Sequence, residues 1–283
     1  MSEKKKPAKI QTPFAEIQTN MATLGPMKGE GEEELVSSEQ EQALFLLSNF
    51  TLSPERSLER PKNKLLVLDI NGLLADIVSI PLYSSKTPHI RIKGRSLFKR
   101  PFCDDFLNFC FGAFHVGVWS SRLKCNLDPA VDYLFGDMKK KLVFCWDQSK
   151  CTSTGFRTPE NHRKPLLLKE LKKIWEVFDG KWSSSNTLLI DDSPYKSLSN
   201  PPHTAIFPDP YLHEEEKEED SSLGPGGDIR VYLQGLTDMG RDDNDEGDDD
   251  IRSYVKDNAI GQPEITELDS NWDFYQLVLK AIN

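Results

Sequence analysis

No stretch of this 283-residue chain reaches the roughly 18 consecutive apolar residues that a membrane-crossing helix needs, so no span is expected. Paired cysteines are lacking as well. The five present, Cys103, Cys110, Cys125, Cys145 and Cys151, are odd in number and form neither a C-x-x-C pair nor zinc-type Cys/His spacing. They read as reduced thiols inside a cell, most simply as small buried hydrophobes. Positive charge is in deficit, with a formal net charge of −10, which argues against whole-chain binding to nucleic acid. Arginine is absent before Arg56, and acids crowd Glu30–Glu34; both disfavour a mitochondrial presequence. The basic start Met1–Lys9 has no apolar stretch behind it, so no secretory signal is expected, and the Asn49-Phe50-Thr51 sequon carries no weight. The run Lys4-Lys5-Lys6-Pro7-Ala8-Lys9 has the make-up of a nuclear localisation signal or of a solvated tail. Nucleus or cytoplasm is the expected location. No internal repeat is visible.

What is present is unevenly spread. Between Glu214 and Asp250 stand fifteen acids and three bases, so the rest of the chain is close to neutral. Residues 1–60 mix Lys, Glu, Ser and Pro without sustained periodicity and read as a largely disordered tail, relieved by one short helical pattern over Glu39–Asn49. Residues 61–283 read as one domain, interrupted by an acidic insertion at about 211–250. That insertion is a solvated loop by default and a docking segment for a basic protein partner as the alternative.

From Lys64 the pattern changes. Leu65-Leu66-Val67-Leu68 is a short apolar run ending in Asp69, as a strand buried on both faces requires. Similar runs recur at His115–Trp119, Leu142–Trp146, Thr187–Ile190 and Thr204–Phe207. Helical spacing lies between them, over Pro101–Phe111 and Lys164–Phe178, and short helices are expected over Leu233–Met239, Ile251–Val255 and Asp273–Ile282. Alternating strands and helices predict an α/β fold, three layers around a central parallel sheet.

In such a sheet ligands bind beyond the carboxyl ends of the strands. Two strands end there in acids, in Leu68-Asp69-Ile70-Asn71-Gly72 and Ile190-Asp191-Asp192-Ser193-Pro194, and a third ends in Trp119-Ser120-Ser121. Acids on neighbouring strand ends suit Mg2+, a hard cation that takes oxygen ligands. A hydroxyl and a lysine nearby would hold a phosphate. Each signal alone also has a plainer reading, as a turn or a helix cap; Ser193-Pro194 is a cap followed by proline at the first helical position.

Taken in order, these segments resemble a known family. The chain is similar to the phosphatase homology domain of the RNA polymerase II C-terminal-domain phosphatases and their NLI-interacting-factor-like relatives, within the haloacid dehalogenase superfamily. The likeness rests on Asp69-Ile70-Asn71-Gly72-Leu73-Leu74, Phe98–Leu107, Val118-Trp119-Ser120, Leu168-Lys169-Glu170-Leu171 and Ile190-Asp191-Asp192-Ser193-Pro194. It implies the Rossmann-like haloacid dehalogenase fold and an aspartyl-phosphate mechanism. Asp69 is then the nucleophile, with Mg2+ across Asp69, Asp191 and the backbone carbonyl of Asn71. Asp192 supports that metal, Ser120 bonds a phosphate oxygen, and Lys169 neutralises charge, with Lys164 as its rival.

One position departs from the family pattern. Where relatives carry an acid that protonates the leaving group, this chain has Asn71, and a carboxamide does not titrate. Leu73 also replaces a polar residue. Asp76 is a substitute acid only if its side chain points correctly. The resemblance therefore implies a protein Ser/Thr phosphatase of weak activity acting on a phosphorylated protein segment. A non-catalytic binding module, or pseudophosphatase, is the alternative. A role like that of the presequence-receiving subunit of the mitochondrial inner-membrane translocase belongs to the same alternative. His162 and Arg163 would face a phosphopeptide or solvent, and Trp146-Asp147-Gln148 would line a groove or cover the sheet edge.

Overall fold

The computed structural model describes residues 62–79, 87–214, 220–239 and 250–282. The expected tail over 1–60 and the Glu39–Asn49 helix lie outside them.

Strand β1 (Leu65–Leu68) shows how the sequence dictates the architecture. Successive side chains on a strand point to opposite faces, and none of these four is exposed. Leu66 and Leu68 enter one apolar cluster, while Leu65 and Val67 enter another. The sheet must therefore be covered on both sides. Its five described strands run β10 (Ala205–Ile206), β9 (Thr187–Ile190), β1, β5 (His115–Trp119), β6 (Cys145–Trp146), all parallel. Helix α1 (Cys103–Ala113), helix α2 (Lys124–Phe135) and helix α4 (Asp228–Asp238) pack on the first face through residues such as Phe106, Val131 and Leu233. Leu171, Ile174 and Trp182 cover the other, where Ile174 belongs to helix α3 (Lys172–Val177). The α/β fold with a central parallel sheet is thus observed, three layers deep.

Two sheets were not foreseen. Strands β2 (Ala75–Ser79), β3 (Ile90–Ile92) and β4 (Arg95–Lys99) form an antiparallel sheet in the order β2-β4-β3. Strands β7 (Thr152–Thr158) and β8 (Asn161–Leu168) form a hairpin with register shifts. The hairpin corrects the helical reading of Lys164–Phe178. Its first five residues extend β8, and helix begins only at Lys172. Leu166 and Leu168 are buried among Tyr195, Tyr275 and Val278, the last two from helix α6 (Trp272–Ile282). Helix α5 (Ile251–Asp257) buries Ile251 and Val255 in the first cluster. Part of the acidic insertion also belongs to the core, because α4 buries Ile229, Tyr232, Leu233 and Leu236. Among the described residues no helix is long and apolar enough to cross a membrane.

Candidate active site

The parallel register pairs Leu68 with both Ile190 and Val118. The residues that follow these strands therefore emerge together at one sheet edge. Asp69 follows β1 and Asp191-Asp192 follow β9, and an oxygen of each of the three carboxylates lies within 4.8 Å of the others. Ser120, 1% exposed, follows β5. Its Oγ accepts from the Arg122 backbone N–H at 3.3 Å.

After Asp69 the chain turns sharply. Leu74 and Ala75 both donate backbone N–H groups to Ile70 O, and Gly72 N–H donates to Ala75 O. Gly72 has φ +84°, and a Cβ there would lie 2.3 Å from Asp192 Oδ2. Only glycine permits both the left-handed backbone and the approach of that carboxylate.

Two lysines meet the three acids. Lys169, fully buried at the end of the β7–β8 hairpin, lies 3.2 Å from Asp69 Oδ1 and 2.5 Å from Asp191 Oδ2. Of the two candidate lysines from the sequence, Lys169 is the one that lies among the acids. The rival Lys164 instead sits over the Tyr195 ring, 5.2 Å from its centroid. The second lysine is Lys196, which sequence reasoning passed over. Its Nζ lies 3.0 Å from Asp69 Oδ2, 2.7 Å from Asp191 Oδ1 and 3.4 Å from Asp192 Oδ1. Its one sequence signal was the i,i+4 spacing to Asp192 across Ser193-Pro194-Tyr195.

Burial works against every charge here, and the pairings decide the outcome. At Asp69, burial is outweighed by Lys169 and Lys196, which hold the carboxyl far below the usual range. At Asp191, burial prevails over the same two lysines, with Asp69 and Asp192 adding to it, and pushes the carboxyl up to about 6. Burial also opposes the Lys196 charge, but Asp191, Asp69 and Asp192 overcome it and keep that ammonium protonated well above its ordinary range. Three carboxylates against two ammonium groups leave one surplus negative charge in the cluster. Asp69 Oδ1 has the Lys169 ammonium at 3.2 Å and no other partner among the described residues, so a lone pair of a firmly ionised carboxylate remains available.

Asn71 is held rather than free. Its Oδ1 accepts from the Ile77 backbone N–H at 2.8 Å and from Arg122 Nη2 at 2.8 Å, and Arg122 Nη2 also donates to Ile77 O. Arg122 is a second residue the sequence did not flag. Burial and the neighbouring Arg95 lower its pKa, while Asp69, Asp76 and Asp192 act the other way, which shows what surrounds it. Asp76 is no substitute acid: its carboxylate is bonded to the His213 backbone N–H and to His213 Nδ1, 2.6 Å away. His213 in turn stacks on Phe98 with centroids 3.6 Å apart.

Arg122, which holds Asn71, also lines a cleft of about 360 Å³. Arg95, Arg122 and Lys164 supply its cations, Leu123 and Leu167 its apolar wall, and no carboxylate of the described residues lines it. Gln148 reaches this cleft, whereas Trp146 packs against Trp119 and Phe144, with centroids 5.0 and 4.8 Å away. His162 and Arg163 are exposed on β8.

The family model of NLI interacting factor-like phosphatases matches residues 64–241. The chain belongs to this family. A Schizosaccharomyces pombe protein described as an uncharacterized FCP1 homology domain-containing protein is 31% identical over 148 residues, which are 49% of this chain and 57% of that relative. The chain thus spans little more than half of that relative's length. Among solved structures, the fission yeast RNA polymerase II CTD phosphatase Fcp1 aligns in two forms. One, bound to beryllium fluoride, has TM-score 0.38 at 13% identity; the other has 0.37 at 14%. Both cover 86% of this chain and 65% of theirs. A haloacid dehalogenase-superfamily hydrolase from Geobacter sulfurreducens aligns with TM-score 0.32 at 15% identity over 48% of this chain and 83% of its own.

Proposed function

We propose that this domain binds phosphoserine or phosphothreonine in a flexible protein segment and hydrolyses it slowly through an aspartyl-phosphate. The observation that carries this reading is Asp69: buried, ionised, and flanked by an ammonium group at each oxygen, Lys169 at 3.2 Å and Lys196 at 3.0 Å. In the forward step an Asp69 oxygen forms a bond to phosphorus as the bond from phosphorus to the seryl oxygen breaks. Lys169 and Lys196 offset the charge on the phosphoryl oxygens, and the Ser120 hydroxyl donates to one of them. The protein segment lies along the Arg95–Arg122–Lys164 cleft, whose charge suits a phosphorylated chain.

The seryl alkoxide must gain a proton on leaving, and the aspartyl-phosphate must then be attacked by a deprotonated water. Asn71 serves neither transfer, so bulk water does. A positioned acid–base group is worth about 10²–10⁴-fold in rate, and that factor is what this site forgoes. The resemblance also implies Mg2+ across Asp69, Asn71, Asp191 and Asp192. The carboxylates suit a hard cation, but Lys196 Nζ already lies against an oxygen of all three. As they stand these residues do not fit the ion, and no step is routed through it.

A second reading is favoured by one observation, the clamp of Arg122 and Ile77 N–H on Asn71 Oδ1. A side chain fixed in this way belongs to a pseudophosphatase that recognises a phosphorylated segment without turnover. Single-turnover phosphate release from a phosphoserine peptide, measured beside peptide affinity, separates the two. Slow release abolished by Asp69→Asn supports slow catalysis. Binding without release supports the module, and neither binding nor release on any phosphoserine or phosphothreonine peptide overturns both. Nuclear or cytoplasmic residence of the chain is part of the same proposal, and imaging of the tagged full chain tests it.

A further inference from the structure

The arrangement of Lys196 goes beyond a favourable ion pair. Its Nζ reaches Asp69 Oδ2, Asp191 Oδ1 and Asp192 Oδ1 at 3.0, 2.7 and 3.4 Å, the same three carboxylates that form the candidate metal cluster. It comes from the short 3-10 turn Pro194–Ser197 directly after Asp191-Asp192. Its side chain is 4% exposed, so it is packed in place rather than swung in from solvent. Gly72 lies directly against the Asp192 carboxylate.

We infer that the Lys196 ammonium is a built-in counter-ion that takes the position a divalent metal would need, so that the resting site is closed to Mg2+. The geometry leaves little room for both cations. Mg2+ needs oxygen ligands at about 2.0–2.1 Å in a near-ideal octahedron. An ion bound to the same three oxygens would lie close to the Lys196 nitrogen, and two cations that near each other in a buried site repel strongly. The charges agree as well. Lys169 and Lys196 offset the three carboxylates from −3 to −1, so the ammonium groups already supply the positive charge that a divalent ion would bring. Lys196 donates hydrogen bonds and carries one charge, so it polarises phosphate less than a divalent ion does. That deficit falls on the same side as the loss of an acid at Asn71.

The inference concerns the metal and needs no phosphopeptide, so its failure is distinct from failure of the proposed function. The full chain is titrated with Mg2+ and with Mn2+ by calorimetry, and its melting temperature is followed from EDTA to millimolar Mg2+. Wild type is expected to show no binding heat and no shift. Lys196→Met, which keeps the length and loses the charge, is expected to gain a metal site, with melting raised by about 5–10 °C at a hundredfold excess over Kd. Lys196→Gln serves as a second variant should the methionine form fold only with metal. Saturable Mg2+ binding by wild type, with a melting shift as large as that of the variants, overturns the inference. So does a Lys196→Gln chain that folds and gains no metal affinity.

Discussion

Asn71→Asp restores in name the acid that this site lacks, and the structure says how much it restores. The new carboxylate keeps both partners of Asn71 Oδ1, the Ile77 N–H at 2.8 Å and Arg122 Nη2 at 2.8 Å. Both favour the ionised form. An opposite charge at this distance lowers a carboxyl pKa by roughly 1–3, which cuts the protonated fraction near neutral pH by about 10- to 1,000-fold. Set against the roughly 10²–10⁴-fold that general acid–base catalysis is worth, the mid-range values leave about a tenfold gain at pH 7. The gain should grow as pH falls toward 5.5, because each unit restores tenfold more of the protonated acid. Adding Arg122→Gln to Asn71→Asp removes the charge that holds the carboxylate ionised and should return about another hundredfold. Single-turnover phosphate release from a phosphoserine peptide between pH 5.5 and 8 reads all of this. A gain of 10³-fold or more, flat across that range, would refute the clamp as the controlling feature. So would a double variant no faster than Asn71→Asp alone.

Other outcomes follow from neighbouring residues. Gly72→Ala adds left-handed backbone strain and drives Asp192 from its place, at a cost of about 1–3 kcal/mol; a urea midpoint unchanged from wild type would show Asp192 free to retreat. Arg100, 4% exposed, pairs with Asp220 and donates to Leu73 O, so Arg100→Met should lose about 1–3 kcal/mol in the same assay, the range for a buried charged hydrogen bond. Asp191 gives a pH signature. Its carboxyl is raised from 3.8 to about 6, so the folded chain holds this proton more tightly than the unfolded chain. Ionisation then costs stability above pH 6, and the cost fades as pH falls toward 4, by at most about 3 kcal/mol. The stability difference between wild type and Asp191→Asn should shift in favour of wild type from pH 7 to pH 4, and a constant difference would count against this charge balance.

The sequence revealed the strands that carry the acids because their chemistry is unambiguous. Leu65–Leu68 and Thr187–Ile190 are short, apolar, and end in aspartate, and the structure starts and stops them at those residues. The hairpin β7–β8 was hidden. Thr152–Thr158 has no clean alternation, and Leu166, Leu167, Leu168 and Leu171 imitate helical spacing until Pro165 is seen paired with Arg157. Asp69, Lys169, Asp191 and Asp192 came together as the ordered motifs implied. Lys196 and Arg122 escaped because each sits among polar residues on a turn, where a cation reads as solvated. Only the fold brings their charged ends back onto the buried carboxylates and onto Asn71.

The register of β1 against β9 has one more consequence. Asp69 and Asp191 meet because Leu68 lies opposite Ile190, and the hydrogen bonds that set this pairing also hold the core. A slip of two residues would keep every side chain on its proper face yet displace the two acids from each other by about 6–7 Å along the strands. Phosphate affinity is therefore a gauge of sheet assembly. In a refolding experiment it should return together with the last of the protected strand amides, and not with the earlier collapse of the apolar layers.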